Sequence, residues 1–260
     1  MLPEKAIAIV DDEIRNFVKT NFVFNIERVV SPIVFIRKHR NWLTNNTFYL
    51  NGLELFEHAY ITNGCTDAFN DFYNNNVYVL EGEYTYHRDS GQATVATIDD
   101  IPANSRLIIS YPFAATGNIH KDWNYILKYC LDNYISIFVD ACLSGVSLGN
   151  LDLRHPSITH VAFSFSKAFG TGHLRTGVLY TKNYINSPAF VTNKHLYINH
   201  NNAYLHQQLM ENFTSDFIFR KYRLTQLNIC KEHNLVQSDC VLYGLENNNR
   251  KCITRLLCDH

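Results

Sequence analysis

The sequence predicts an α/β fold built on short, buried strands. Ile135-Ser136-Ile137-Phe138-Val139 is a nearly continuous apolar run behind a predicted helix, Trp123 to Asn133, the mark of a parallel-type strand buried on both faces. Val161-Ala162-Phe163 and Val178-Leu179-Tyr180 read the same way, on either side of a polar, glycine-rich stretch. Tyr60-Ile61-Thr62 runs into a tight glycine turn and a helix start.

At 260 residues the chain is long enough for one domain, or one domain with a small appendage. Hydrophobic residues at 46% and charged residues at 18% describe an ordinary globule. A net charge of −1 offers nothing to attract nucleic acid or an anionic membrane. The seven cysteines include no CxxC pair, and an odd number argues against a disulfide framework. A reducing, cytoplasmic setting is expected. The twelve histidines do not cluster as metal ligands. Charges at Glu4, Lys5, Asp11, Asp12 and Glu13 argue against a signal peptide, and no apolar run approaches membrane-spanning length.

In chain order, residues 4–20 are expected to form an amphipathic helix. Asn45-Asn46-Thr47 and Asn51-Gly52 are turn signals. At Asn63-Gly64-Cys65-Thr66-Asp67 the glycine turn bares backbone N–H groups at a helix start, which suits an anion. Val77–Leu80 and Leu107–Ser110 are further short strands. Ile135–Val139 ends in Asp140. Asn201 to Lys231 reads as mostly helical. Cys240–Tyr243 and Cys252–Leu257 read as strands joined by an asparagine-rich turn at 247–249.

The chemistry centres on Ser164 to Gly177. Lys167 stands between two hydroxyls and a glycine-rich bend, delivered from a strand end into a polar pocket. Partial desolvation there would make its amine nucleophilic. Ser164, Ser166 and Arg175 together make a site for a dianion, with two hydroxyl donors and one permanently charged fork. A lysine able to form a Schiff base beside a phosphate cup suggests pyridoxal 5'-phosphate (PLP).

The pattern S-x-S-K-x-x-G-x-G-x-x-R-x-G resembles the PLP-lysine segment of the class I/II aminotransferases, the fold-type-I PLP enzymes. Other segments resemble that family in the same order along residues 60–180. The resemblance implies a mostly parallel sheet flanked by helices, with a reduced C-terminal α+β small domain. It divides the chain into an N-terminal helical segment (1–45), a PLP-binding major domain (46–190) and the small domain (191–260). A competing likeness of Ala6–Glu13 to a response-regulator receiver fails, because Leu53–Glu57 offers no phosphorylatable aspartate.

The resemblance also implies roles. Lys167 is the Schiff-base lysine. Gly64, Cys65 and Thr66 hold the phosphate with Ser164, Ser166 and Arg175. Tyr84, or else Tyr86, stacks on the pyridine ring. Asp140 pairs with the pyridinium nitrogen, and His87 either supports Asp140 or is a surface histidine. Arg255, or else Arg250, takes the substrate carboxylate. Tyr49 either reaches a neighbouring subunit's phosphate or is a packing tyrosine. The expected partners are a small amino acid substrate and a second copy of the chain, as a homodimer. Two positions depart from the family. Ala114 and Leu143 stand where an asparagine and a tyrosine donate to the cofactor's phenolic oxygen, and Tyr86 or His173 are candidate replacements. The implied activity is aminotransferase-like. A lyase or decarboxylase of the same fold, or a non-catalytic relative that binds PLP, are the alternatives.

Overall fold

The apolar runs read from the sequence come together in one sheet. The computed structural model describes residues 6–44 and 47–258. Its strands are β1 (Phe48–Asn51), β2 (His58–Thr62), β3 (Val77–Leu80), β4 (Thr94–Ala96), β5 (Arg106–Ser110), β6 (Ser136–Asp140), β7 (Gly149–Asp152), β8 (Ile158–Ser164), β9 (Gly177–Thr181), β10 (Val236–Gln237), β11 (Tyr243–Glu246) and β12 (Asn249–Cys252). Seven of them form the main sheet, in the order β2-β9-β8-β6-β5-β3-β4. Only β9 runs antiparallel, against both of its neighbours. The expected mostly parallel α/β architecture is what the chain adopts.

The helices are α1 (Asp12–Asn21), α2 (Pro32–Leu43), α3 (Cys65–Ala68), α4 (Tyr86–Asp89), α5 (Trp123–Asp132), α6 (Phe165–Ala168), α7 (Pro188–Lys194), α8 (His200–Asn212), α9 (Phe217–Glu232) and α10 (Thr254–Cys258). Successive strand residues point to opposite faces, and here each face buries its own set. Ile108, Phe138, Ala162 and Leu179 pack on one side with Phe69 and Phe72. Ile109, Val139, Val161 and Tyr180 pack on the other with Phe35 and Phe165. Covering both faces is what makes the central strands read as unbroken apolar runs. A small antiparallel sheet, β10-β11-β12, follows α9.

Two expectations are corrected. The first helix spans Asp12–Asn21, not 4–20. Residues 6–10 carry no regular structure, and residues 4 and 5 lie outside the described residues. The reason is Asp11, whose carboxylate caps the helix by accepting from the N–H groups of Glu13 and Ile14. The stretch from Asn201 to Lys231 is mostly helical as expected, in two helices, α8 and α9, because the chain turns at Thr214, whose hydroxyl bonds Asp216. In the last segment the residues before Tyr243 form a turn, and Thr254–Cys258 is helical. Of the first turn signal, Asn45 and Asn46 lie outside the described residues.

The N-terminal strap is tied down along its length. The Thr254 hydroxyl donates to the Ile7 carbonyl at 2.8 Å. Ile9 is fully buried, and its carbonyl lies so close to Gly170 that a β-carbon there would sit 2.4 Å from it. Asp11, beyond its capping role, accepts from the Tyr222 hydroxyl and pairs with Lys221, both at 2.7 Å. Asp11→Ala removes the cap and strands both partners, so it is expected to cost about 1–2 kcal/mol. Urea unfolding checks this, and an unchanged midpoint would contradict it.

Candidate active site

The site gathers at the carboxyl ends of the parallel strands, where open α/β sheets bind ligands. Gly177 opens β9 and is the register partner of both Thr62, at the end of β2, and Ser164, at the end of β8. That places the glycine turn at Gly64, the serines and Arg175 around one point. Gly64 has φ of +87°, where side chains are strained. A β-carbon on it would lie 3.0 Å from Arg175 Nη2 and 3.1 Å from Ser164 Oγ. The glycine thus keeps open a small cradle lined by a guanidinium and a hydroxyl. Arg175 is held by the Asn63 carbonyl at 2.9 Å and the Thr66 hydroxyl at 3.2 Å. Ser164 Oγ donates to Ser166 Oγ at 3.0 Å and accepts the Ser166 N–H. Gly64, Thr66, Ser164, Ser166 and Arg175 therefore form one cluster of donors.

Lys167 lies on α6, half-buried, and donates to the Ala6 carbonyl of the strap at 3.1 Å. Its charge reaches Asp140, the terminal residue of β6. Asp140 is 3% exposed and accepts the Cys142 N–H at 3.0 Å. Burial pushes its carboxyl up, while the thiols of Cys65 and Cys142, the Cys142 N–H and the Lys167 ammonium pull it back; the net direction is up. Burial and the neighbouring Asp140 push both thiols well up, which keeps them neutral. The Cys65 side chain thus points to the aspartate, and only its backbone heads the glycine turn.

Tyr84 is 43% exposed. Its hydroxyl lies beside Thr66 and within the field of Arg175 and Asp140, and its ring stacks on Tyr86 at 5.9 Å. His87 is buried rather than on the surface. It packs against Phe69 and bonds the Tyr73 hydroxyl at 2.7 Å. Its other ring nitrogen has no partner among the described residues, so Asp140 takes its donors from the cysteines instead. Ala114 is buried, and its carbonyl accepts from Arg250 of β12, whose guanidinium lies over the Tyr243 ring. Leu143 is also buried. Arg255 is exposed on α10, a helix where a strand was expected, and has no polar partner among the described residues. Tyr49 is 65% exposed, and His173 is exposed.

Sequence reading passed over Glu83, although it immediately precedes Tyr84. It is 7% exposed, and its carboxyl receives three donors: the Ser110 N–H at 2.7 Å, the Ser110 hydroxyl at 2.5 Å and the Tyr84 N–H at 3.2 Å. Burial outweighs these bonds and, with Asp140 nearby, pushes the carboxyl up to about 7. The strap was missed too, because a main-chain carbonyl leaves no trace in residue type.

No protein-family model matches the chain, and no curated protein matches it. Solved structures do. A PLP-bound C-S lyase from Staphylococcus hominis superposes with a TM-score of 0.65 at 11% identity, over 94% of this chain and 74% of that one. An aromatic amino acid aminotransferase from Burkholderia cenocepacia gives 0.61 at 13% identity, over 96% and 86%. An L-threonine-O-3-phosphate decarboxylase from Porphyromonas gingivalis gives 0.59 at 12% identity, over 90% and 81%. The chain has the fold that these enzymes share. No helix among the described residues is long and apolar enough to cross a membrane, and no group of histidine, cysteine and acidic side chains among them could hold a metal ion.

Glu83 makes stability depend on pH. Its pKa is about 7 folded against 4.5 as the ordinary value, so between these the folded state holds a proton that the unfolded state has lost. Its contribution is full below pH 4.5, falls as pH rises towards 7, and is then constant, a loss of at most roughly 3 kcal/mol. Glu83→Gln cannot titrate. The stability difference between variant and wild type is expected to grow in favour of the variant from pH 5 to pH 8.5 in urea unfolding; a constant difference would contradict it.

Proposed function

We propose that the chain is a PLP-dependent enzyme of the aminotransferase type, acting on an amino acid or related amine, with Lys167 as the residue that carries the cofactor. The observation that supports it most is that Lys167 directly follows the serines of a donor-lined cradle and its charge reaches a buried carboxyl. The residues fit the group. Arg175, Thr66, Ser164 and Ser166 would hold its phosphate, and Gly64 leaves the space that a β-carbon would fill. Asp140 would keep a proton on the ring nitrogen. Tyr84 would flank the ring, worth about 1 kcal/mol beyond area burial. When bound, the group supplies an electron sink for charge developing at the substrate's α-carbon.

The chain's own residues would do the rest. Lys167, released from the Ala6 carbonyl, would take a proton from the substrate's α-carbon and return one. For the α-carboxylate, Arg250 is the better placed of the two arginines, since it reaches the turn at Ala114 while Arg255 faces solvent. A lyase or decarboxylase reaction is the second reading. It is favoured by Ala114 and Leu143, which place no side-chain donor where the family has two.

The division at residues 46–190 and 191–260 goes with this reading, as does a homodimer. An exposed apolar run, Phe24, Ile26, Val29 and Ile33, is available to a second copy. A PLP-loaded monomer at micromolar concentration in sedimentation would refute the dimer.

The direct experiment is borohydride reduction of the protein with PLP, followed by peptide mapping. Label is expected on Lys167 and absent from Lys167→Ala; an adduct elsewhere would sink the assignment. In the same series Arg175→Ala is expected to weaken PLP uptake by about 1.5–3 kcal/mol, and Arg255→Ala to leave it unchanged. Equal losses would place the phosphate elsewhere.

A further inference from the structure

Three neighbouring strands end side by side. β5 pairs with β3 on one side and β6 on the other, and Ser110 is the register partner of Asp140. Glu83, just beyond the end of β3, folds back onto Ser110. The row Glu83–Ser110–Asp140 therefore sets two buried carboxyls across one strand end. The proposed cofactor site uses only one of them, Asp140.

Glu83 has donors but no countercharge. All three of its bonds come from uncharged groups on Ser110 and Tyr84. No lysine or arginine among the described residues pairs with it, and the charge it feels is that of Asp140. Around Asp140 stand Cys65 on α3, Cys142 beyond β6, Lys167 on α6, and Tyr73 and Tyr84. The thiols and phenols are pushed up and stay neutral. Lys167 is the one cation of that set. Like charges set across one buried strand end raise each other's proton affinity and titrate as a pair.

We infer that Glu83 and Asp140 form one coupled carboxyl pair, with Glu83 a positioning residue that sets the charge of the sheet end facing the cofactor ring. The pair itself rests on geometry. Its consequence for the ring rests on the PLP reading given above. With Glu83 ionised, two negative charges stabilise a protonated ring nitrogen; with Glu83 neutral, Asp140 acts alone. Raising the pH through neutrality therefore strengthens the hold on that proton. Glu83 also ties the Tyr84 backbone to the end of β5, so the ring's flanking residue and its charge partner are set by the same side chain.

Two measurements test this. The first needs no cofactor: a double-mutant cycle of Glu83→Gln and Asp140→Asn, read by urea unfolding at pH 5.5 and pH 8.5. The two substitutions are expected to be non-additive at the higher pH, because either one relieves the repulsion, and additive at the lower. Additivity at both values overturns the pair. The second is a pH titration of the absorbance of PLP-loaded wild type and Glu83→Gln. The wild-type profile is expected to carry a step near neutrality that the variant loses; an identical profile in both overturns the role towards the ring. Non-additivity in a protein that takes up no PLP would support the pair and overturn the cofactor reading instead.

Discussion

The site depends on one backbone contact. β9 is inserted antiparallel between β2 and β8, and its first residue, Gly177, faces Thr62 and Ser164 at once. A β-carbon on Gly177 would lie 2.5 Å from the Phe163 carbonyl and 2.7 Å from the Gly64 Cα. Only a glycine lets the three chain segments close to this distance. Everything that could bind an anion follows from that closure. The turn at Gly64 comes from one strand, Ser164 and Ser166 from the second, and Arg175 from the approach to the third. The parallel strands alone would have left these residues apart.

Around the cradle the protein separates its charges. Arg175 is exposed and held by a carbonyl and a hydroxyl, neither of which neutralises it. Asp140 and Glu83 lie deeper, at strand ends, where desolvation raises the cost of a bare carboxylate. Lys167 lies near the buried pole, its charge reaching Asp140 and its ammonium bonded to the Ala6 carbonyl. A ligand with an anion at one end and a cation-forming ring at the other matches that arrangement, which is why the electrostatics support PLP beyond the resemblance of the sequence.

Much of the fold was legible because burial on both faces leaves a plain signature. Ile135–Val139 and Val161–Phe163 could hardly be anything but central strands. The lysine stretch was legible because its residues are close together in the chain and each is of an unusual type for its place. Other parts were not. Ile7 and Ile9 were read as part of a helix over residues 4–20, yet they belong to an extended strap held through the Ala6 and Ile7 carbonyls. Cys252–Leu257 looked strand-like by composition, but the Thr254 side chain bonds Ile7 across the molecule, and a short helix follows. Arg250 and Arg255 could not be separated by spacing, because only the packing of β12 shows which one reaches the turn at Ala114. Glu83 was hidden because a glutamate after a strand is ordinarily solvated. Its burial depends on Ser110, which is distant in sequence.

The central claim is that Arg175 and its neighbours hold a phosphate dianion belonging to a group carried on Lys167. Phosphorus NMR of the protein with PLP addresses it most directly. A bound phosphate in this cradle is fixed as the dianion by charge-assisted bonds, so its resonance should not move across the range in which free PLP titrates. A resonance that titrates as free PLP does would show the phosphate to be solvated, and the cradle would then have another purpose.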